Sequence, residues 1–463
     1  MSGRRTAPRH GDRPRERPAA PRESSPIGSA TIGVLALLVS AATLVWAGMT
    51  TPPTNVRPTA ATGTTSIARD LTCAGGLPDS TAAIGVAGRP SAEGLTVDGA
   101  APHHPSLRLA GTPAEVHADA AVSAKAFAVR TASAKGWYAA GTCPSPRSTW
   151  WFVGAGGSQG HHSELTISNP RKGDAIVDIE VLGPHGVVRS PGLDDVRINS
   201  GSFRTFDLSK VAPAVGDLAV RVVTSRGLVS ASVSDSWSAD YVENPALDWV
   251  SDQPTAARRL NIAGVPATAA DATLLVANPT EEEAVVQLSL VGRNGGFAPT
   301  KHATVRVPPG VVRPVALKAV LKAHPLGLRL VSQLPISATV RVRQGTDAAY
   351  LPAVEPLAGS GVLGVPTHSG SASLDLYGAK KSAKATVDVY DSAGRRLPSA
   401  SVTVRTGAAA VVSLPAHAAS IVVHAPGMSG ALVLGADTKA ALAVLALTTT
   451  SSQARVPAVV ADW

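Results

Sequence analysis

The chain repeats itself at a spacing of 109 residues, and this repeat strongly constrains its fold. Leu165–Arg204 aligns with Leu274–Arg313 without a gap, and eleven of the forty aligned positions are identical. A fainter third copy contains ATVDVY at 385–390 and VTVRTG at 402–407. A period near 100 residues is typical of a β-sandwich and is too long for a propeller blade of roughly 40 to 50 residues. The identical residues of the earlier copy are Leu165, Asn169, Pro170, Ala175, Val177, Gly183, Gly186, Val196, Arg197, Gly201 and Arg204.

Each copy is predicted to be a succession of short strands. The first strand ends at Asn-Pro, because proline has no N–H with which to continue a ladder. The second, AIVDIEVLG or AVVQLSLVG, alternates apolar and polar residues, so Asp178 and Glu180 should face solvent. A hairpin follows at Gly183–Gly186 or Gly292–Gly295. Three more strands per copy are predicted from VRINSG and VRVPPG, from LAVRVV and LGLRLV, and from VSASVS and ISATVRV.

Composition agrees with this interpretation, because aromatic residues make up 4% of the chain while there are 43 Gly and 36 Pro. Many turns between short Val-rich runs favour sandwiches over helical bundles. The predicted fold class is all-β, with an N-terminal transmembrane helix followed by tandem β-sandwich (immunoglobulin-like) repeats. The predicted segments are a disordered basic cytoplasmic tail (1–26), a transmembrane signal-anchor helix (27–49), a Thr/Pro-rich linker (50–66), a membrane-proximal β-rich segment (67–149), three sandwich repeats (150–250, 259–350 and 361–450) and a C-terminal tail (451–463).

The segment Arg69–Arg147 permits two interpretations. Thr112-Pro-Ala-Glu115 is a capping box with proline at the first helical position, which predicts a helix over Pro113–Phe127. Leu107-Arg-Leu and Ala126-Phe-Ala-Val-Arg instead alternate like strands. We favour strands.

An uncharged stretch near the N-terminus predicts a membrane anchor. Residues 24–56 carry no charge, and their apolar centre, Ile27–Met49, is long enough to cross about 30 Å of hydrocarbon. The arginine-rich tail before it orients the chain with its N-terminus in the cytoplasm. The predicted location is therefore the cell membrane, single-pass, with the C-terminal part extracellular. A cleaved signal peptide is the alternative, although its apolar region is usually shorter.

The two cysteines of the chain, Cys73 and Cys143, both follow the predicted anchor. An even pair in an oxidising compartment predicts one disulfide, and two buried free thiols are the alternative. Closing a loop of this length would contribute roughly 4 kcal/mol in the chain-entropy model.

Two patterns could indicate catalysis or metal binding. Gly156-Gly-Ser158-Gln-Gly160 matches the G-x-S-x-G motif of hydrolases, in which a helix must follow the serine. The residues after Ser158 instead predict a loop and a strand, so a flexible glycine-rich loop is the preferred interpretation. Adjacent histidines, His161-His162 and His103-His104, point to opposite faces if they lie on a strand, so we expect exposed loop histidines rather than metal ligands. We predict no catalytic, cofactor-binding or metal-binding residue.

Tryptophan is concentrated in one part of the chain, where Trp150, Trp151, Trp237 and Trp249 are candidate glycan contacts. Exposed indole rings stack on sugars and donate one hydrogen bond. The alternative is that these rings pack in cores or between domains.

Charge is divided unevenly between the repeats. Trp150–Val250 holds 12 acidic and 8 basic residues, whereas Arg259–Tyr350 holds 5 acidic and 10 basic residues. A basic face for anionic wall polymers, docking between repeats of opposite charge, and ordinary surface variation all remain open. The formal net charge of +9 does not predict a nucleic-acid partner, because the N-terminal tail supplies much of the excess.

From Cys143 onward the chain resembles an uncharacterised actinobacterial family of secreted or membrane-anchored proteins, known only as a domain of unknown function. The resemblance rests on CPSP at 143–146, WWFVGAG at 150–156, the LTISNP and LLVANP strands and the G-x-x-G hairpins. It implies a basic N-terminus, one apolar helix, a long β-rich exported part and genes that often neighbour a membrane glycosyltransferase. It provides no functional residues.

The sequence therefore predicts a non-enzymatic, membrane-anchored cell-envelope protein, accessory to a membrane glycosyltransferase or to wall-polymer assembly. The first alternative is an extracellular glycan-binding module that uses exposed tryptophan, and the second is a serine hydrolase. The expected partners are the lipid bilayer and either a membrane glycosyltransferase or cell-wall polysaccharide. We expect no cofactor.

Overall fold

A computed structural model describes residues 64–66, 68–86, 94–104, 106–122, 126–238, 245–253, 255–266, 269–378, 381–435, 441–449 and 453–455. These residues form an all-β structure of several antiparallel sheets, with two one-turn helices. The predicted anchor Ile27–Met49 and the basic tail lie outside the described residues. No helix within the described ranges is long and apolar enough to cross a membrane.

Four modules follow one another along the chain, and their strands are numbered here in chain order. The first strand, β1 (Thr64–Ser66), pairs with the last, β37 (Gln453–Arg455), and these lie in the predicted linker and C-terminal tail. Module 1 contains β2 (Arg69–Cys73), β3 (Thr81–Val86), β4 (Leu95–Val97), β5 (Ser106–Arg108), β6 (Ala114–Ala118), β7 (Ala128–Ala134) and β8 (Trp137–Thr142).

Module 2 corresponds to the first predicted repeat. It contains β9 (Thr149–Ala155), β10 (Gly157–Ser158), β11 (His161–Asn169), β12 (Ala175–Gly183), β13 (Gly186–Val188), β14 (Val196–Ile198), β15 (Ser202–Asp207), α1 (Leu208–Val211), β16 (Leu218–Arg226), β17 (Ser230–Trp237), β18 (Ala246–Val250) and β19 (Asp252–Gln253).

Modules 3 and 4 correspond to the second and third predicted repeats. Module 3 contains β20 (Ala257–Ala263), β21 (Asp271–Ala277), β22 (Ala284–Gly292), β23 (Gly295–Phe297), β24 (Thr304–Val307), β25 (Val312–Ala316), α2 (Lys318–Leu321), β26 (Gly327–Gln344), β27 (Asp347–Leu351) and β28 (Ala353–Val354). Module 4 contains β29 (Ser360–Gly364), β30 (Ala372–Tyr377), β31 (Ala383–Tyr390), β32 (Ala400–Val404), β33 (Ala409–Ser413), β34 (Ser420–His424), β35 (Ser429–Leu434) and β36 (Ala443–Ala446).

All four modules share one pairing order, except that the first sheet of module 1 lacks the fourth strand among the described residues. Their first sheets run β2-β6-β4, β9-β16-β12-β14, β20-β26-β22-β24 and β29-β34-β31-β32. Their second sheets run β5-β3-β7-β8, β15-β11-β17-β18, β25-β21-β26-β27 and β33-β30-β35-β36. Module 1, for which the sequence showed no repeat, is therefore a fourth version of the same strand plan.

Module 1 resolves the choice between helix and strands in favour of strands. The capping-box segment continues into β6, whose alternate residues are buried in the pattern of a half-buried strand. The predicted helix over Pro113–Phe127 is therefore wrong. Strand pairing outweighs the local capping signal, because β6 lies between β2 and β4 and hydrogen-bonds to both.

The predicted strand patterns are confirmed in module 2. In module 3 they differ at one place, where two predicted strands are one. Along β12, Val177, Ile179 and Val181 are buried while Asp178 and Glu180 are partly exposed. LGLRLV and ISATVRV were predicted as two strands but form the single 18-residue strand β26. In module 2 the corresponding strands are separated by Gly227, which has a φ of 80°. Module 3 has no glycine there, so the chain continues without a turn from one sheet into the other.

The Asn-Pro of the repeat has a structural role that is the same in both copies. Asn278 is fully buried, and its Nδ2 donates to the carbonyl oxygens of Glu282 at 2.7 Å, Val307 at 2.9 Å and Pro308 at 3.1 Å. Asn169 makes the equivalent bonds in module 2. This amide therefore ties the end of one strand to two loops.

The last strand of every second sheet meets its counterparts from the other modules. β8 contacts β18, β18 contacts β27, β27 contacts β36, and β36 contacts β8. These contacts close a cycle, so the four modules form one body rather than a row of independent domains. Close approach is also visible where modules 2 and 3 meet: a Cβ on Gly154 would lie 2.9 Å from both Leu275 and Tyr350.

The predicted disulfide is confirmed. Cys73 at the end of β2 is bonded to Cys143, which directly follows β8, and both side chains are buried. The bond joins the two sheets of module 1.

We expect Asn278→Ala to lower the free energy of unfolding by about 1–3 kcal/mol, because it leaves buried carbonyl oxygens without a donor. Urea denaturation of the full chain would measure the change. Asn199→Ala, at an exposed loop position of module 2, is the control and should change stability by less than about 0.5 kcal/mol. Equal stability of the two variants would contradict this role.

Candidate functional site

The G-x-S-x-G motif does not form a nucleophile elbow. Ser158 ends the two-residue strand β10, which folds back in a hairpin so that Gly157 pairs with His162 and Ser158 pairs with His161. β11 follows directly, and the helix that an elbow requires is not formed at this position. The motif instead forms a tight β-turn.

The two histidines of this hairpin have different environments. His162 is exposed, with Nδ1 3.7 Å from Asp207 Oδ1. His161 is buried, so the prediction of an exposed loop residue is wrong for this histidine. His103 and His104 are exposed in a bend. Within the described ranges, no group of three or more His, Cys, Asp or Glu side chains is arranged to hold a metal ion.

His161 belongs to a buried polar network around Asp235 at the contact between modules 2 and 3. Its Nε2 lies 3.2 Å from Asp235 Oδ2 and 3.1 Å from the Gly154 carbonyl oxygen. Both neighbours are acceptors, so Nε2 carries the hydrogen. Ser163 Oγ donates to Asp235 Oδ1, and the hydroxyl of Tyr350 from module 3 donates to Asp235 Oδ2.

The electrostatics of this network keep Asp235 ionised. Burial acts to raise the pKa of Asp235, but His161, Ser163 and Tyr350 outweigh it and hold that pKa below its usual value. Burial and the Asp235 carboxylate raise the pKa of Tyr350 well above normal, so its hydroxyl stays a donor. Serine and histidine contact the aspartate rather than each other, so the arrangement is a polar junction and not a catalytic triad.

Three of the four candidate glycan-contact tryptophans are buried. Trp150, Trp151 and Trp249 expose 0%, 2% and 4% of their surface, and Trp237 is partly buried. Rings without an exposed face cannot stack on a sugar, so the alternative interpretation, packing in cores and between modules, fits these three residues.

Each of the four indoles also has a guanidinium over its ring. In each pair the distance is measured from the guanidinium carbon, Cζ, to the ring centre. It is 3.5 Å for Trp150, 5.5 Å for Trp151 and 4.4 Å for Trp249. Two guanidinium groups lie over Trp237. These cation–π contacts occupy faces that a sugar would need. The arginines are Arg147, Arg221, Arg130, Arg341 and Arg343.

Two buried carboxylates lie where the edge strands of the modules meet. Asp347 of β27 accepts hydrogen bonds from the backbone N–H groups of Tyr138 in module 1 at 3.1 Å and Leu442 at the start of the module 4 edge at 2.9 Å. Asp248 of β18 accepts from the N–H of Tyr350 in module 3 at 3.3 Å. Together the two side chains connect edges from all four modules.

Burial changes the titration of both carboxylates. It raises the pKa of Asp347 to about 7, although its backbone hydrogen bonds oppose the shift. Burial and the charge of Asp347 raise the pKa of Asp248 well above normal. Arg130, buried beside Trp249, has its pKa lowered by burial to about 10 and stays charged at neutral pH.

An open groove lies between modules 3 and 4, with a cavity volume of about 720 Å³. This volume is within the range of sites for small ligands. Its floor is the outer face of β20 and β26, which presents Arg259, Asn261, Arg329 and Val331, and module 4 contributes Thr406.

The same position in module 2 is filled by a tryptophan. Trp151 pairs with Arg221 across β9 and β16, and it packs with Leu275 and Val312 of module 3. Arg221 lies over the indole and forms a salt bridge to Glu180 at 3.2 Å. The indole therefore fills the space at the contact with module 3, and the arginine is held by partners within module 2.

Two substitutions open the site in module 3. Asn261 pairs with Arg329 across β20 and β26, as Trp151 pairs with Arg221 in module 2. Ser289 pairs with Arg329 where Glu180 pairs with Arg221. Arg329 therefore keeps its place on the sheet but has lost both the indole and the carboxylate.

The two arginines of the groove are unpaired. Within the described part of the chain, no salt bridge or hydrogen bond engages the side chain of Arg259 or Arg329. Asn261 donates to Ser429 Oγ of module 4 at 3.1 Å. Glu355 is exposed at the rim and is an acidic lining residue. The groove thus presents two guanidinium groups to an incoming ligand.

Sequence reasoning named none of these groove residues. The excess of basic residues in Arg259–Tyr350 indicated a basic face on this repeat but not its position. When LAVRVV is aligned with LGLRLV, Arg221 corresponds to Arg329. This correspondence is the signal in the sequence that could have identified Arg329 as a candidate.

Comparison with models of protein families places the chain in a family. A family model described as a family of unknown function (DUF5719) matches residues 95–415. This range covers most of the chain, from within module 1 into module 4, so the chain belongs to that family. No curated protein matches the chain.

Stability should depend on pH through the buried carboxylates. Because the pKa of Asp347 rises from about 4 in the unfolded chain to about 7 in the folded protein, folding takes up a proton and stability falls as pH rises through this window. Burial gives Asp375 a similar pKa of about 7, so it adds to the same trend. The pKa of Asp235 is lowered in the folded protein, so the stabilisation that its carboxylate provides is lost at low pH. Urea denaturation should therefore show greatest stability at mildly acidic pH.

Asp347→Asn should weaken this pH dependence between about pH 5 and 8. It should also lower stability throughout, because the amide places N–H groups against backbone donors. Asp194→Asn, at an exposed position, is the control and should preserve the wild-type profile. An unchanged profile in Asp347→Asn would rule out Asp347 as a source of the dependence.

Proposed function

We propose that this member of the family of unknown function is a non-enzymatic, membrane-anchored cell-envelope protein, accessory to a membrane glycosyltransferase or to wall-polymer assembly. In this proposal Ile27–Met49 anchors the chain and the four modules lie outside the cytoplasm. The Cys73–Cys143 disulfide supports an oxidising location, because such bonds persist outside the reducing cytoplasm.

The observation that carries the proposal is the open groove on a closed four-module body. The polar clusters around Asp235 and Asp347 are engaged in contacts between modules. The groove instead presents two unpaired guanidinium groups at the surface. A preformed body that offers such a groove is suited to holding a ligand in place, which is the role expected of an accessory protein.

The glycan-binding alternative also keeps a physical basis, but at a different place from the tryptophan cluster. Trp150, Trp151 and Trp249 are buried, whereas the groove offers exposed side chains from β20 and β26. A wall polysaccharide could therefore bind the accessory protein directly while a glycosyltransferase docks elsewhere.

Mild crosslinking of native membranes followed by purification of the full-length chain tests the proposal. We expect a membrane glycosyltransferase or wall polymer to co-purify, identified by mass spectrometry and sugar analysis. The control replaces Ile27–Met49 with a cleavable signal peptide, which should reduce recovery because the chain is no longer held at the membrane. Recovery of the wild-type chain alone would contradict the proposal.

A further inference from the structure

We infer that the groove between modules 3 and 4 binds an anionic saccharide chain, whose carboxylate or phosphate groups are held by Arg259 and Arg329. The inference rests on the proposed accessory function and names the class of ligand. Trp151 of module 2 and Asn261 of module 3 occupy equivalent positions, and only the tryptophan fills the space beside its paired arginine.

The groove contains free positive charge. Arg221 in module 2 is neutralised by Glu180, but Ser289 cannot neutralise Arg329 in module 3. Arg259 pairs with Val331 on the neighbouring strand, and Asn261 with Arg329, so the two arginines are diagonal neighbours on one face. Two planar guanidinium groups on one face can each bind an anionic group through paired N–H donors.

The remaining lining favours a saccharide over a peptide. The floor is the face of a sheet, whose backbone N–H and C=O groups are already bonded within the ladders of β20 and β26. A bound peptide would commonly pair with a free sheet edge, whereas this floor offers only side chains. The edge strand that also lines the groove, β28, is only two residues long (Ala353–Val354) and offers little backbone for pairing. Thr255 and Thr406 supply hydroxyl groups for sugar oxygens, and Val331, 38% exposed, supplies an apolar surface.

The charge of the surrounding sequence agrees with this ligand class. Arg259–Tyr350 carries twice as many basic as acidic residues, which attracts an anionic polymer and raises its local concentration. The Glu355 carboxylate at the rim repels an anionic ligand, so removing this charge tests independently that the ligand is negatively charged.

Calorimetric titration of the full-length chain in detergent micelles tests the inference. The probes are polygalacturonate for carboxylate, phosphomannan for phosphate, neutral dextran, and poly-L-glutamate as an acidic peptide. We expect binding of polygalacturonate or phosphomannan that weakens as salt increases. Binding of only one of them identifies the anionic group, and either result supports the inference.

Matched substitutions locate the binding site. Arg329→Gln and Arg259→Gln should each weaken binding about tenfold, the effect of losing a charge-assisted hydrogen bond. Arg313→Gln, at an exposed position on β25 of the other sheet, should leave affinity unchanged. Glu355→Gln should strengthen binding.

Asn261→Trp should place an indole where module 2 has Trp151 and block the groove. Circular dichroism and the melting temperature would show whether this variant folds, and the arginine variants provide the decisive result if it does not.

Four results would overturn the inference: equal affinity for dextran, no effect when Arg259→Gln and Arg329→Gln are combined in one chain, arginine-dependent binding of poly-L-glutamate with the affinity of the saccharides, or no binding of either anionic saccharide. The proposed function would survive any of these if a partner still co-purified from membranes. Loss of that partner, with saccharide binding intact, would instead reject the accessory role and keep the groove.

Discussion

The structure depends on how four unpaired sheet edges are brought together without pairing into one sheet. Each second sheet ends in a strand, β8, β18, β27 or β36, whose outer edge carries backbone N–H groups that need acceptors. Asp347 supplies these to Tyr138 and Leu442, and Asp248 supplies one to Tyr350. Buried carboxylates thus replace strand–strand hydrogen bonds at the centre of the body. Their raised pKa values are the electrostatic cost of this arrangement.

Away from the centre, modules 2 and 3 are joined by large side chains rather than by ladders. Trp151 of module 2 packs against module 3, and the Tyr350 hydroxyl of module 3 donates a hydrogen bond to Asp235 of module 2. Burying a tryptophan and a tyrosine excludes water from the hydrogen bonds beside them, which strengthens those bonds. Arg341 and Arg343 of module 3 lie over Trp237 at the same contact, and Arg130 of module 1 lies over Trp249 of module 2. Trp150 instead packs in the core of module 2.

The sequence predicted the strands well where a repeat or strict alternation was present. The bounds of β12 and β22 follow directly from AIVDIEVLG and AVVQLSLVG, since one face of each must be buried. It did not reveal module 1 as a fourth version of the plan, because the pairing order can be kept by many apolar sequences. The merging of two strands into β26 depends on a missing turn residue. The burial of His161 and the arginine contacts of Trp237 and Trp249 depend on neighbouring modules, which no local pattern encodes.

The divergence between repeats, rather than their shared residues, indicates where function lies. Residues that the copies share, such as Asn169 and Asn278, make the same structural bonds in each module. Trp151 and Glu180 fill and neutralise a contact in module 2, while Asn261 and Ser289 leave the equivalent place in module 3 open and charged. Exposing an arginine and an apolar residue in this way gives up packing between modules. Ligand binding would offset that loss, and for this reason we place the binding site in the groove between modules 3 and 4, where Asn261 stands in place of the tryptophan of module 2.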